Sequence, residues 1–138
     1  MYSKITFILD EAYTARINNL KKSIELGEKA LSLSEEYGFL DLQAKSCSHL
    51  SLFNMIKGNN ELCVEYANTS IDIYTALNDE RGVADAKYAI SGVMYKTNNY
   101  HLGLVYLVDA LNVYKKYNDY HNISRCEKTL GTIYEYFE

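Results

Sequence analysis

Val64-Glu65-Tyr66-Ala67-Asn68-Thr69-Ser70-Ile71-Asp72-Ile73-Tyr74 and Leu104-Val105-Tyr106-Leu107-Val108-Asp109-Ala110-Leu111-Asn112-Val113-Tyr114 are two versions of one pattern, set about forty residues apart. Tyr66 falls on Tyr106, Ser70 on Ala110, Ile71 on Leu111 and Tyr74 on Tyr114, and the Asn78-Asp79 that follows falls on Asn118-Asp119. The same step backwards puts Ala30 under Ser70 and Leu31 under Ile71. Self-similarity at such a period marks a repeat architecture, because a lone supersecondary unit of this length cannot bury its own apolar face.

Between the repeated segments lie residues that break helices. Asparagine pairs recur at Asn18-Asn19, Asn59-Asn60 and Asn98-Asn99. Asparagine accepts left-handed backbone and bonds neighbouring amides, so each pair reads as a tight turn inside a unit. A second, looser class, Tyr37-Gly38, Leu77-Asn78-Asp79 and Tyr117-Asn118-Asp119, separates one unit from the next. The spacing predicts helices over 3–16, 20–37, 41–57, 61–77, 81–97, 100–117 and 121–137. Apolar residues follow helical spacing within them: Val83, Ala86, Ile90, Val93 and Met94 share one face, and Ile123, Cys126, Leu130, Ile133, Tyr134 and Phe137 another. Small residues hold fixed places, with Ser51, Ser91 and Gly131 in the first helix of a unit and Ser23, Cys63 and Gly103 early in the second. A glycine inside a helix costs about 0.5–1 kcal/mol relative to alanine. Gly103 and Gly131 are therefore expected where two helices approach closely.

Composition narrows the rest. A chain of 138 residues that is 48% hydrophobic and 23% charged describes one globular domain and excludes disorder. With no proline, seven glycines and no β-rich run bounded by turn signals, sandwiches, barrels and α/β sheets drop out, leaving an all-α fold. A net charge of -4 and the lack of any lysine and arginine run argue against nucleic acid as a partner. Ile5 to Leu9, cut off by Asp10 and Glu11, is too short for a signal peptide or a membrane span. Cys47, Cys63 and Cys126 are an odd, scattered set without CxxC spacing, which makes neither a disulfide framework nor a zinc site. They read as buried small hydrophobes in a reducing compartment, so the expected location is cytoplasmic.

Nothing in the sequence is arranged for catalysis. It contains no HExxH, no phosphate-binding glycine loop and no Gly-x-Ser-x-Gly elbow, and His49, His101 and His121 are far apart. His101 and His121 follow turns and read as solvated; Glu35-Glu36 closes a helix as a surface pair. The fourteen tyrosines invite base stacking, but positions such as Tyr66 and Tyr106 are repeat-equivalent and read as packing. The expectation is a non-catalytic protein with no cofactor and no metal.

Leu130-Gly131-Thr132-Ile133-Tyr134 resembles the leucine-glycine-x-x-tyrosine signature of the tetratricopeptide repeats, and Asn98-Asn99-Tyr100 through Ala110-Leu111 resembles their turn and second helix. The longer unit is similar to the branch found in kinesin light chains and in bacterial sensor kinases and nucleotide cyclases. Asp10 and Glu11 depart from the pattern, occupying slots the family fills with leucine and a small residue. The resemblance implies a right-handed superhelical solenoid of antiparallel helix pairs: about three and a half repeats, in units 1–38, 39–79, 80–119 and a half unit 120–138. Ser51, Cys63, Ser70, Ser91, Gly103, Ala110, Leu130, Gly131 and Tyr134 then hold the structural repeat positions.

In that family the first helix of each pair lines a concave groove. The residues facing it here are Lys45, Ser48, His49, Leu52, Met55, Asp85, Tyr88, Gly92, Tyr95, Arg125, Lys128 and Thr132. Cations at both ends, one carboxylate, two tyrosines and a glycine suit an amphipathic helix or an extended peptide with acidic side chains. His49, Ala89 and Thr129 stand where the family's carboxylate clamp needs asparagine, which argues against capture of a chaperone's carboxyl terminus. The expected function is protein or peptide binding within a larger signalling or scaffold protein. The alternative is a sensory or dimerising region that regulates an attached histidine kinase, nucleotide cyclase or transcription regulator. Because the sequence stops after the first helix of a fourth unit, Ile133, Tyr134, Tyr136 and Phe137 are expected to form an apolar edge covered by a further helix or by a second copy, in a homodimer through terminal helices.

Overall fold

The computed structural model describes residues 1–137; the side chains of Lys96, Tyr134, Tyr136 and Phe137 lie outside that description, and with them the expectations placed on Tyr134, Tyr136 and Phe137. The described residues form seven α-helices and no strand: α1 (Tyr2–Ala15), α2 (Leu20–Tyr37), α3 (Leu40–Lys57), α4 (Asn60–Ala76), α5 (Glu80–Lys96), α6 (Tyr100–Lys116) and α7 (Tyr120–Phe137). Each boundary falls within one residue of the expected one.

Five of the six turns are a single device. Gly38, Gly58, Asn78, Asn98 and Asn118 have φ of 72°, 93°, 58°, 66° and 56°, and they stand twenty residues apart. In each turn the left-handed residue's N–H bonds the carbonyl three positions back and the next N–H reaches five back. Examples are Asn78 to Thr75 O at 3.1 Å with Asp79 to Tyr74 O at 2.9 Å, and Asn118 to Lys115 O at 3.2 Å with Asp119 to Tyr114 O at 2.9 Å. These bonds satisfy carbonyls that the ending helix leaves bare. The residue after the left-handed one starts the next helix. Asn59 Oδ1 accepts from Leu62 N at 3.3 Å and Asp79 Oδ1 from Gly82 N at 3.0 Å, each cap contributing about 1 kcal/mol.

This corrects the division into tight and loose turns, which are one motif. It also shifts the asparagine pairs: Asn59 matches Asn99 as the helix-starting residue, and Gly58 takes the left-handed place of Asn98. The first turn is the exception. Asn18 is not left-handed, and the N–H groups of Asn18 and Asn19 both bond Ala15 O, at 3.2 and 2.7 Å.

Every helix packs on its successor in sequence, and α1 also packs on α3 and α3 on α5, whereas among the described residues no comparable contact joins α2 to α4 or α4 to α6. The buried apolar residues fall into local clusters: Ile5, Ile8 and Leu9 with Leu42; Ala12 with Leu50 and Phe53; Ala67 with Ile90 and Met94; Leu107, Leu111 and Tyr114 with Cys126 and Ile133. Small polar residues sew the helix pairs together. The buried hydroxyls of Ser23, Ser51 and Ser70 donate to Ala12 O, Cys63 O and Ala44 O, at 2.6, 2.8 and 3.0 Å, each on the neighbouring helix. Gly103 sits in such a seam, since a Cβ there would come within 3.1 Å of Ser91 O and 3.3 Å of Met94 Cβ.

Gly131 does not. A Cβ on it would meet nothing within 4 Å, because no described helix lies against that face of α7. Ile133 also departs from expectation: it is only 8% exposed, packed with Leu107 and Cys126, and forms no open edge. Cys47, Cys63 and Cys126 are all buried as free thiols.

Candidate functional site

The face built from the odd-numbered helices carries a cleft of about 670 Å³. α1 supplies Tyr13, α3 supplies Ser48, His49, Leu52 and Met55, and α5 supplies Asp85, Tyr88, Ala89, Ser91 and Gly92; α6 adds Tyr114, and α7 adds His121, Asn122, Arg125 and Thr129. Of the groove residues expected from the sequence, the structure brings together Ser48, His49, Leu52, Met55, Asp85, Tyr88, Gly92 and Arg125. Lys45, Tyr95, Lys128 and Thr132 are not part of its lining. Lys45 is half-buried one helical turn from His49, and Lys128 and Thr132 are exposed further along α7. Tyr95 packs edge-on against Tyr100, ring centroids 5.2 Å apart.

One end of the cleft is aromatic, with no charged side chain in its lining. The His49 ring lies 5.6 Å from Tyr13 and 5.9 Å from Phe53, between centroids. Desolvation, reinforced by the Lys45 cation, pushes its imidazole down to about 4, so it is neutral at pH 7. The other end is polar. Tyr114 is buried and donates its hydroxyl to Asp85 Oδ1 at 2.6 Å. Desolvation by the cleft walls raises the Asp85 carboxyl above its ordinary range, against the pull of that hydrogen bond. The Arg125 guanidinium lies over the Tyr88 ring, 4.6 Å from its centroid, and the Tyr88 and Thr129 hydroxyls are 3.4 Å apart.

Sequence spacing passed over Tyr13, Tyr114, His121 and Asn122. Tyr114 read as packing, which its ring performs; the hydroxyl's reach to Asp85, 29 positions away, leaves no trace in periodicity. His121 and Asn122 stand in the first turn of α7, and the Asp119 cap on Asn122 is the signal that could have marked them. Among the described residues, no three His, Cys, Asp or Glu side chains gather as a metal-ligand set, and no helix is long and apolar enough to cross a membrane. Comparison with protein-family models and with curated proteins finds no match.

Proposed function

We propose that this chain is a tetratricopeptide-like solenoid whose cleft binds a segment of another protein, helical or extended, bearing apolar and acidic side chains. Three features support the solenoid part: a left-handed turn every twenty residues, packing of α1 on α3 and of α3 on α5 without comparable packing of α2 on α4 or α4 on α6 among the described residues, and apolar clusters that join only near neighbours in sequence.

The observation that carries the binding part is Gly92. Gly27, Gly82 and Gly103 also lie inside helices, and each is pressed by a neighbour: Leu50, the Tyr74 ring and Ser91 O respectively. At Gly92 only Met55 Sδ, 3.8 Å away, comes near the place of a Cβ. A mid-helix glycine that its own fold does not require leaves room on the cleft floor for a bound backbone. Gly131 is open too, but it is not part of the cleft lining.

The test is to select binders from a random-peptide display library on the wild-type chain and titrate them against Gly92→Gln by fluorescence anisotropy. Binding should weaken by roughly tenfold or more while the thermal melt is unchanged or higher. Equal affinity for the two proteins would overturn the reading.

A further inference from the structure

We propose that Arg125 is a preset receptor for an aspartate or glutamate side chain of the segment lying in the cleft, an inference that rests on the cleft being a binding surface. Three of the chain's other cations are satisfied internally: Arg81 pairs with Asp119 at 3.2 Å, Lys87 with Asp109 at 3.2 Å and Lys116 with Glu80 at 2.9 Å. Among the described residues Arg125 makes no ion pair, yet it is held in place on two sides. Its Cζ lies over the Tyr88 ring, and Nη1 donates to Asn122 Oδ1 at 3.1 Å.

The support continues behind it. Asn122 Nδ2 donates to Asp119 Oδ2 at 2.8 Å, and Asp119 takes the Arg81 guanidinium, so the amide that orients Arg125 is itself oriented. A guanidinium has five N–H donors, and this arrangement spends one on Asn122. The rest suit a carboxylate held by two parallel bonds, and because the fork is already ordered, little side-chain freedom is lost on binding. Lys45 and Lys128, beyond the cleft lining on α3 and α7, add positive charge on a protein whose net charge is -4. Asp85 in the same cleft favours a monoanion over a phosphate dianion, because each added negative charge meets its repulsion. The aromatic end around Tyr13, His49, Leu52 and Met55 takes an apolar side chain of the same segment.

Peptides selected on the wild-type chain provide the probes. Changing their acidic residue to its amide should weaken binding to the wild type by roughly tenfold to a hundredfold and leave binding to Arg125→Gln nearly unchanged. Arg125→Lys, which keeps the charge and loses the fork, should fall between. The proposal is overturned if the acid-to-amide change costs the same on wild type and Arg125→Gln, if amidating the peptide's carboxyl terminus abolishes binding, or if phosphoserine in place of the acid binds more tightly. Peptides blocked by Gly92→Gln but indifferent to Arg125→Gln would leave the groove reading standing and remove only this inference. Peptides indifferent to both, or no selectable peptide, would remove both.

Discussion

On α5, Gly82 lies under the Tyr74 ring of α4, where an added Cβ would overlap the ring, and ten residues later Gly92 looks into the cleft with only Met55 Sδ at 3.8 Å. The same residue type serves two opposite ends. At Gly82 the absent side chain is space already filled by the chain, so the glycine belongs to the seam between helices. At Gly92 it is space left open. Along one helix, then, a glycine's role is decided by what stands opposite its missing Cβ, and the face with nothing opposite is the one available to another molecule.

The hardest test of this contrast is Gly103→Leu, which forces a bulky side chain against backbone at 3.1 Å. Stability should drop by about 3 kcal/mol and the melting temperature by on the order of 10 °C; an unchanged melt would break the seam assignment. On the cleft side, burial pushes the His49 imidazole down to about 4 from its ordinary 6.5. Its contribution is intact above pH 6.5 and is lost as pH falls from there towards 4, because the unfolded chain takes up the proton first. Wild type should therefore lose on the order of 2–3 kcal/mol across that window relative to His49→Leu, as read by urea denaturation at stepped pH.

A single methyl separates the two glycines of α5 more finely. Gly82→Ala should destabilise by about 1–2 kcal/mol despite the better helix propensity of alanine, since the Tyr74 ring must move. Tyr114→Phe should cost about 1 kcal/mol and raise the Asp85 carboxyl further, which carboxylate NMR titration would report. The smallest effect has the opposite sign: Gly92→Ala should stabilise the chain by about 0.5–1 kcal/mol, and a loss there would show that the fold needs this glycine after all.

Much of this architecture is written in local chemistry. α2 was expected at 20–37 and spans Leu20–Tyr37, because Asn19 and Gly38 signal its start and stop unambiguously. Turn register was less legible. Asn59-Asn60 looks like Asn98-Asn99, yet Gly58 supplies the left-handed residue, and a glycine and an asparagine in that slot do not align by eye. The cleft was half readable: the resemblance to the tetratricopeptide repeats implies that His49, Leu52, Tyr88 and Gly92 face one groove, whereas Tyr13 and Tyr114 arrive through packing between helices that spacing along one helix does not encode. Gly131 and Ile133 show the same limit from the other side, one open where closeness was expected and one buried where exposure was.

The left-handed residues at 38, 58, 78, 98 and 118 behave like evenly spaced notches on a ruler. In the solenoid proposed above, excising or duplicating the stretch between alternate notches, such as 39–78, keeps odd helices odd and should shorten or lengthen the cleft by one step. An edit spanning a single notch interval would exchange inner and outer roles for everything downstream. In the proposed solenoid the length of the odd-helix face is thus an adjustable quantity, counted in pairs of helices.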